Sequence, residues 1–224
     1  MNPNLEGIWE HMRELGLGAL AHANRHAAYS SLENSRWPEL SVLQAAHAAE
    51  ILLKARIAQE HPLLIFETLP KPTKDCGLLD MKELFEKGKT VDWSDLPARL
   101  WATTGIKLEN ENLYREFGKL RNGIQHFSLP TNVDPAYETL KFIYGIIDPF
   151  INKCWGLYAV DYDEDYEPYI YFLSALISDN ILFLPSPESV ACFDDWDVDW
   201  SKADDEYKKE LMSRIRSIRD TVGE

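Results

Sequence analysis

An arginine and a histidine near the middle of the chain have the types and the spacing that RNA chemistry needs. Arg121 and His126 lie five positions apart in the run Arg-Asn-Gly-Ile-Gln-His, and Asn122 directly follows the arginine. Arginine carries a planar, permanently charged fork that binds a phosphate through two N–H groups. Histidine titrates near neutral pH and can therefore transfer protons. The pair is suited to attack of the RNA 2′-hydroxyl on the adjacent phosphate, with no metal ion or other cofactor.

Helix geometry restricts how this pair can act. Five residues of α-helix turn through ~500°, so the two side chains point about 140° apart and lie ~7.5 Å apart along the axis. A phosphodiester would have to lie across the helix end, or a second subunit would have to complete the site. Asn122 can hydrogen-bond to the same phosphate or ribose. The structural alternative is a surface ion pair for Arg121 and a helix-capping role for His126.

The helix that positions these residues is predicted from its apolar stripe. Leu113, Phe117, Leu120 and Ile124 follow one another at spacings of four, three and four, which indicates a helix from Glu111 to Phe127. Further elements are predicted in chain order: helix over 4–32, either continuous or broken near Gly16 and Gly18; a helix from Trp37-Pro38 to His61-Pro62; a loop over 68–80; a helix over 79–88, with Gly88 as terminator; a helix capped by Asp92 and ended by Gly105; a helix over 137–155, kinked at Pro149; and a last helix over 204–221.

These elements predict an all-α fold, an up-and-down helical bundle of four to five main helices over residues 1–158. Residues 159–224 are predicted to be an acidic C-terminal extension packed on the bundle. Within it, residues 169–184 suit both helix and strand, because aromatic and β-branched residues occur in each.

The net charge of −14 disfavours broad nonspecific binding of nucleic acid, but its distribution leaves room for a local RNA site. Residues 161–224 hold 6 Lys and Arg against 17 Asp and Glu, whereas residues 1–160 hold 17 against 20. The acidity comes mainly from two runs, DYDEDYE and DDWDVDW. These runs are interpreted either as solvated surface or as a segment that covers a basic cleft or docks a basic partner.

Cysteine usage and hydropathy predict a cytoplasmic protein. Cys76, Cys154 and Cys192 form no CxxC pair, and no stretch has the ~18 apolar residues of a membrane span. His22, His26 and His47 could be imagined as metal ligands, but without a matching carboxylate we interpret them as solvent-facing. No phosphate-binding loop, dinucleotide fingerprint or serine-hydrolase motif is present.

The string LRNGIQHF resembles the R-x4-6-H signature of the HEPN superfamily (higher eukaryotes and prokaryotes nucleotide-binding). The stretch HAAEILLKARIAQEHPLLIFE and the later MKELFEKG also resemble the second and third helices of prokaryotic members. The resemblance covers roughly residues 1–158 and implies that Arg121 and His126 are catalytic and that Asn122 assists. It also implies a homodimer with a composite cleft, RNA products with a 2′,3′-cyclic phosphate or phosphate and a 5′-hydroxyl, and a role in toxin–antitoxin or phage-defence systems with a possible antitoxin partner. One toxin subfamily has Tyr where this chain has Ser128, which puts regulation by AMP transfer to that position in doubt.

Glu50 and Lys54 are further candidates as assisting or RNA-binding residues. They lie one turn apart on the second predicted helix, in the order that stabilises a helix, so a surface pair is one interpretation. In the other, Glu50 orients Arg121 or His126. The main prediction is thus a metal-independent endoribonuclease acting as a toxin or defence effector. The alternatives are a non-catalytic HEPN module that binds nucleotide, RNA or a protein, and a scaffolding protein that acts through its acidic tail.

Overall fold

The computed structural model describes residues 3–70, 81–127, 132–164, 169–195 and 198–222, most of which are helical. The α-helices are α1 (Ile8–Ala28), α2 (Trp37–Glu60), α3 (Met81–Lys87), α4 (Leu96–Thr104), α5 (Glu111–His126), α6 (Pro135–Phe142), α7 (Asp148–Trp155), α8 (Tyr169–Ser178), α9 (Pro187–Asp195) and α10 (Asp205–Val222). Two short strands, β1 (Phe66–Thr68) and β2 (Lys89–Thr90), pair antiparallel with an irregular register. The predicted all-α fold class is confirmed.

The chain forms two compact units. The first comprises Met1–Gly16 and Glu50–Leu108, and the second comprises Leu17–Ala49 and Glu109–Glu224. Neither boundary coincides with the predicted division between residues 158 and 159. Residues beyond 158 belong to the core of the second unit, where the following apolar side chains are at most 5% exposed: Ile170, Phe172, Leu173, Leu176, Ile177, Phe183, Leu211 and Ile215.

In the first unit, two glycines occur where a neighbouring group leaves no room for a side chain. A Cβ on Gly16 would lie 2.7 Å from Leu52 Cγ, so the glycine lets α1 pack tightly on α2, and α1 is one unbroken helix. A Cβ on Gly88 would lie 2.4 Å from the Leu84 carbonyl oxygen. Gly88 does follow α3, as predicted, but its role is this contact. Gly105, by contrast, caps α4 in the left-handed conformation with φ 69°, as the sequence predicts.

Four buried leucines and isoleucines of the first unit, none more than 2% exposed, illustrate its core: Leu52, Ile57, Leu96 and Leu100. The predicted cap at Asp92 is only partly correct. Asp92 does precede the 3-10 turn Trp93–Asp95, but its side chain makes no capping hydrogen bond there. Its carboxylate instead accepts from Lys89 Nζ at 3.3 Å.

In the second unit, α6 and α7 are joined by the π-helical segment Ile143–Ile147, so that 135–155 is one irregular helix. The sequence predicts a kink at Pro149, and the structure has this π-helical irregularity directly before it. Proline lacks an N–H, and its ring crowds the carbonyl four residues earlier. The Asp148 N–H bonds to the Ile143 carbonyl, five residues back, which widens the turn before the proline.

Residues 169–184, for which the sequence suits both helix and strand, are helical over only part of their length. The segment is helical as α8 and then leaves the helix at Asn180, whose φ is 54°. The following backbone is tied down by side chains, since the Tyr207 hydroxyl donates to the Ile181 carbonyl at 3.0 Å. Helix α9 was not predicted, although Ser186 before Pro187 is a recognisable start: the Ser186 hydroxyl accepts from the Ser189 N–H at 3.0 Å.

None of the helices in the described ranges is both long and apolar enough to span a lipid bilayer.

Candidate functional site

Helix α5 carries all three residues of the predicted motif. The side chain of Asn110 caps its start by accepting from the Leu113 N–H at 3.3 Å, and the helix ends at His126. Tyr114 and Phe117 anchor it in the second unit with at most 2% exposure, and the Phe117 ring stacks on Phe142 at 3.8 Å between centroids. The buried side of α5 therefore fixes the rotation of its exposed end.

The guanidinium of Arg121 is held by its neighbours on the same helix. Its Nη1 donates to Asn122 Oδ1 at 3.0 Å and to Gln125 Oε1 at 3.5 Å. These amide oxygens orient the guanidinium without neutralising its charge. Asn122 thus contacts the arginine, as an assisting residue should. Gln125 was not predicted, although its spacing of four from Arg121 is the ordinary signal for a contact on a helix.

His126 lies on the last turn of α5 and is exposed. Among the described residues, its imidazole has no hydrogen-bond or ion-pair partner, so the capping role proposed as the structural alternative is not observed within them. The next residue, Phe127, is 93% exposed. Ser128, at the position that differs from the toxin subfamily, lies outside the described residues.

Arg121 and His126 are both helical, so the expected divergence of about 140° between their directions applies. Two pockets of the second unit are not lined by Arg121, Asn122 or His126.

One of these pockets, of about 520 Å³, lies along the apolar stripe of α5. The pocket is a groove lined by Leu113, Phe117 and Leu120, so part of the apolar stripe faces it. The charged lining consists of three carboxylates and one ammonium group: Glu116, Asp134, Glu138 and Lys119. This acidic groove is unsuited to phosphate.

Glu50 and Lys54 form a buried ion pair within the first unit. Lys54 is 8% exposed, and its Nζ donates to Glu50 Oε1 at 2.6 Å and to Thr90 Oγ1 at 3.1 Å. The interpretation as a surface pair is wrong, because the lysine instead links α2 to β2. Whether Glu50 orients Arg121, which belongs to the second unit, stays a prediction.

The histidines of α1 take part in local contacts. His22 Nδ1 lies 2.6 Å from Glu164 Oε2, and the His26 ring packs on Trp37 at 4.6 Å. Burial lowers the pKa of His26, so this side chain is not solvent-facing as predicted, whereas His47 is exposed. Within the described ranges, no group of three or more His, Cys, Asp or Glu side chains is placed to hold a metal ion.

Asp148 is a buried acid that the sequence reasoning did not single out. Its two carboxylate oxygens accept the N–H groups of Ala159 and Leu184, each at 2.8 Å. Burial raises the pKa of Asp148 to about 7, against the opposing effect of those two hydrogen bonds. A signal was present in the sequence, since this aspartate interrupts the apolar run Ile143–Ile151. Asp148 therefore ties together three stretches of the second unit.

The first acidic run is hydrogen-bonded to neighbouring elements through Asp161. Asp161 Oδ1 accepts from Ser186 Oγ at 2.5 Å and from the Tyr169 hydroxyl at 2.7 Å, and burial raises the pKa of Asp161. Asp161 is thus an exposed acid that links the first acidic run to α8 and to the start of α9. Residues 165–167 of the first run and 196–197 of the second lie outside the described residues.

Comparison of the chain with known protein families finds no family model that matches it, and comparisons with curated proteins and with solved structures find no match either.

Proposed function

We propose that the chain is a metal-independent endoribonuclease of the HEPN type, acting on RNA at the exposed end of α5. The observation that carries the proposal is the arrangement on this helix: a guanidinium oriented by two neutral amides, five residues before an exposed imidazole. Resemblance of the run 120–127 to the HEPN signature adds to it. The family assignment is part of the proposal.

In the proposed reaction, Arg121 binds the non-bridging oxygens of the scissile phosphate through guanidinium N–H groups. His126 removes the proton of the 2′-hydroxyl, whose oxygen attacks phosphorus while the bond to the 5′-oxygen breaks. A protonated imidazole then supplies a proton to the 5′-oxygen. The products are a 2′,3′-cyclic phosphate and a 5′-hydroxyl, and Asn122 keeps Arg121 oriented.

A second copy of the chain is part of the proposal. The two side chains diverge around α5, and an exposed helix end does not exclude water from a reacting phosphate. Pairing two α5 ends would bring the Arg121 of one copy near the His126 of the other. A homodimer in the cytoplasm that serves as a toxin or defence effector, with an antitoxin or another regulatory protein as partner, is the setting we propose.

The test is incubation of the purified chain with total RNA in EDTA, followed by mapping of the cleavage ends. We expect cleavage that is unaffected by EDTA and leaves 2′,3′-cyclic phosphate or phosphate and 5′-hydroxyl termini. Dependence on a divalent cation, or 3′-hydroxyl termini, would contradict the mechanism.

A second candidate is a non-catalytic module that uses the same helix end to hold RNA, a nucleotide or a protein. The observation that favours it is the imidazole of His126, which no group in the described ranges orients as catalytic bases commonly are. This candidate predicts that RNA binds and is not cleaved. The same incubation separates the two, if binding is measured in parallel by fluorescence anisotropy.

A further inference from the structure

An aromatic residue, Phe127, directly follows His126 at the end of α5 and lies in solvent. It is 93% exposed, whereas Phe117 on the same helix is 2% exposed. Phe127 comes three residues after Ile124 and so continues the apolar stripe of α5, for which helical periodicity predicts burial. The stripe is thus packed at Phe117 and bare at its last residue, where a whole aromatic face is open to a ligand.

The helix sets the position of this ring. The Phe127 N–H donates to the Gly123 carbonyl at 2.9 Å, so the residue is still bonded into the last turn of α5. On an α-helix, Phe127 points about 100° away from His126 on one side and about 120° away from Arg121 on the other. The three side chains therefore surround one helix end, and an RNA strand that crosses this end meets the cation, the imidazole and the ring.

A nucleobase is the part of RNA that suits the ring. With the scissile phosphate on Arg121 and the 2′-hydroxyl at His126, the groups next along the strand are the bases of the two nucleotides that this phosphate joins. Every base has a π face, so stacking on an aromatic side chain contributes to binding whatever the sequence. Phe127 offers such a face one residue from the proposed proton-transfer group.

The charge of the chain favours a contact of this kind. Phosphate contacts supply much of the affinity of basic nucleic-acid binders, but this chain has a net charge of −14. Arg115 and Lys119, the other Lys and Arg residues of α5, pair with Glu111 at 3.4 Å and with Glu116 at 2.7 Å. A stacked base adds affinity that does not depend on further cations.

We propose that Phe127 forms a nucleobase subsite, in which its ring stacks on the base of a nucleotide next to the scissile phosphate. This inference rests on the proposed function, because it takes RNA as the ligand of the α5 end. The stack holds the strand over Arg121 and His126 and takes no part in proton transfer.

The test is binding of two fluorescent oligonucleotides of about eight nucleotides in EDTA, followed by anisotropy at low salt. One is an oligoadenylate with 2′-fluoro riboses, which lack the attacking hydroxyl, and the other is an abasic strand of the same length and charge. Phe127→Ala should weaken binding of the oligoadenylate by about fivefold to fiftyfold and change the Kd of the abasic strand by less than about twofold. Phe127→Trp keeps an aromatic face and should bind the oligoadenylate within about threefold of wild type.

The matched control is Tyr171→Ala on α8, which removes another exposed aromatic ring of the same unit and should leave the Kd within about twofold of wild type. Sedimentation velocity of wild type and Phe127→Ala reports whether the ring holds a second copy of the chain instead. Equal losses for the two strands, equal losses for the two alanine variants, or dissociation of an oligomer by Phe127→Ala would each overturn the stacking role.

This inference and the proposed function fail in different ways. If the wild type cleaves RNA or binds the oligoadenylate while Phe127→Ala behaves like the wild type, the stacking role alone is wrong. A wild type that neither cleaves RNA nor binds the oligoadenylate contradicts both. Base-dependent binding that Phe127→Ala weakens, without cleavage of RNA by the wild type, supports the subsite and contradicts the ribonuclease.

Discussion

The exposed end of α5 and the interior around Asp148 use polar side chains in opposite ways. At the end of α5, Arg121 is oriented by amides of its own helix, and His126 is open to solvent. In the interior, Asp148 is fully buried, and its two carboxylate oxygens accept backbone N–H groups from distant parts of the chain. A buried acid with its hydrogen bonds satisfied stabilises one arrangement of the chain, whereas side chains at a helix end that bond within their own helix contribute less to the fold. The difference predicts that substitutions in the two regions separate stability from function.

The largest effect on stability is expected for Asp148→Ala. The substitution leaves two N–H groups, those of Ala159 and Leu184, without their acceptor inside the protein. We expect the free energy of unfolding in urea to fall by about 2 to 4 kcal/mol. A loss below about 0.5 kcal/mol would show that the buried acid does not hold the second unit together.

The second effect concerns the ion pair of Glu50 and Lys54 in the first unit. Glu50→Gln removes the carboxylate that faces the buried Lys54 ammonium, and should cost about 1 to 3 kcal/mol. The matched control is Glu60→Gln, which breaks a pair with Arg56 and whose side chain is 44% exposed. The control should cost less than about 0.5 kcal/mol. Equal losses in chemical denaturation would mean that burial of Lys54 carries no special penalty.

The pH dependence of stability follows from Asp148. Because its pKa is raised from 3.8 to about 7 by burial, the folded chain holds a proton that the unfolded chain has released between these values. The stability contributed by this group is therefore present below about pH 4 and is lost as the pH rises to about 7. Between pH 5 and pH 7 the wild type should lose roughly 2 kcal/mol more than Asp148→Asn. Parallel pH profiles for the two proteins would contradict the assignment.

The smallest effect on stability is expected at the motif itself. The Arg121 guanidinium bonds to Asn122 and Gln125 on its own helix, and His126 is exposed, so Arg121→Ala and His126→Ala should each change the free energy of unfolding by no more than about 0.5 kcal/mol. Thermal unfolding followed by circular dichroism is sufficient to check this. A loss above about 2 kcal/mol would mean that the motif side chains stabilise the fold, and would contradict the difference between the two regions.

Local patterns predicted much of the fold. The apolar stripe gave the bounds of α5 almost to the residue, and Gly105 marked the end of α4. The polar interior was not predicted, because its contacts join residues far apart: Asp148 and Leu184 are separated by 36 positions. The same reason explains Lys54, whose partner Thr90 lies 36 positions away and whose burial no helical pattern reveals.

The division at residue 158 followed the range of the family resemblance, and residues 159–224 were predicted to be an acidic extension packed on the bundle. In the structure the apolar residues between the acidic runs are buried in the second unit. Deletion of residues 161–224 would therefore not test whether the acidic runs cover a cleft. It would also remove Leu184, whose N–H bonds to Asp148, and the Tyr207 and Arg214 side chains, which donate to backbone carbonyls of the same unit. Of the candidate site, the sequence identified the helix and its exposed end, but not the contact with Gln125 or the separation of Glu50 into the other unit.

The measurement that tests the central claim most directly is the cleavage rate of one labelled RNA in EDTA by the wild type and three variants. Arg121→Ala and His126→Ala should each lower the rate by at least about a hundredfold. Arg115→Ala is the matched control, because this exposed arginine lies on the same helix and pairs with Glu111 at 3.4 Å. It should leave the rate within about threefold of wild type. Cleavage that survives in both motif variants, or is lost equally in the Arg115 control, would contradict the assignment of this helix end as the active site.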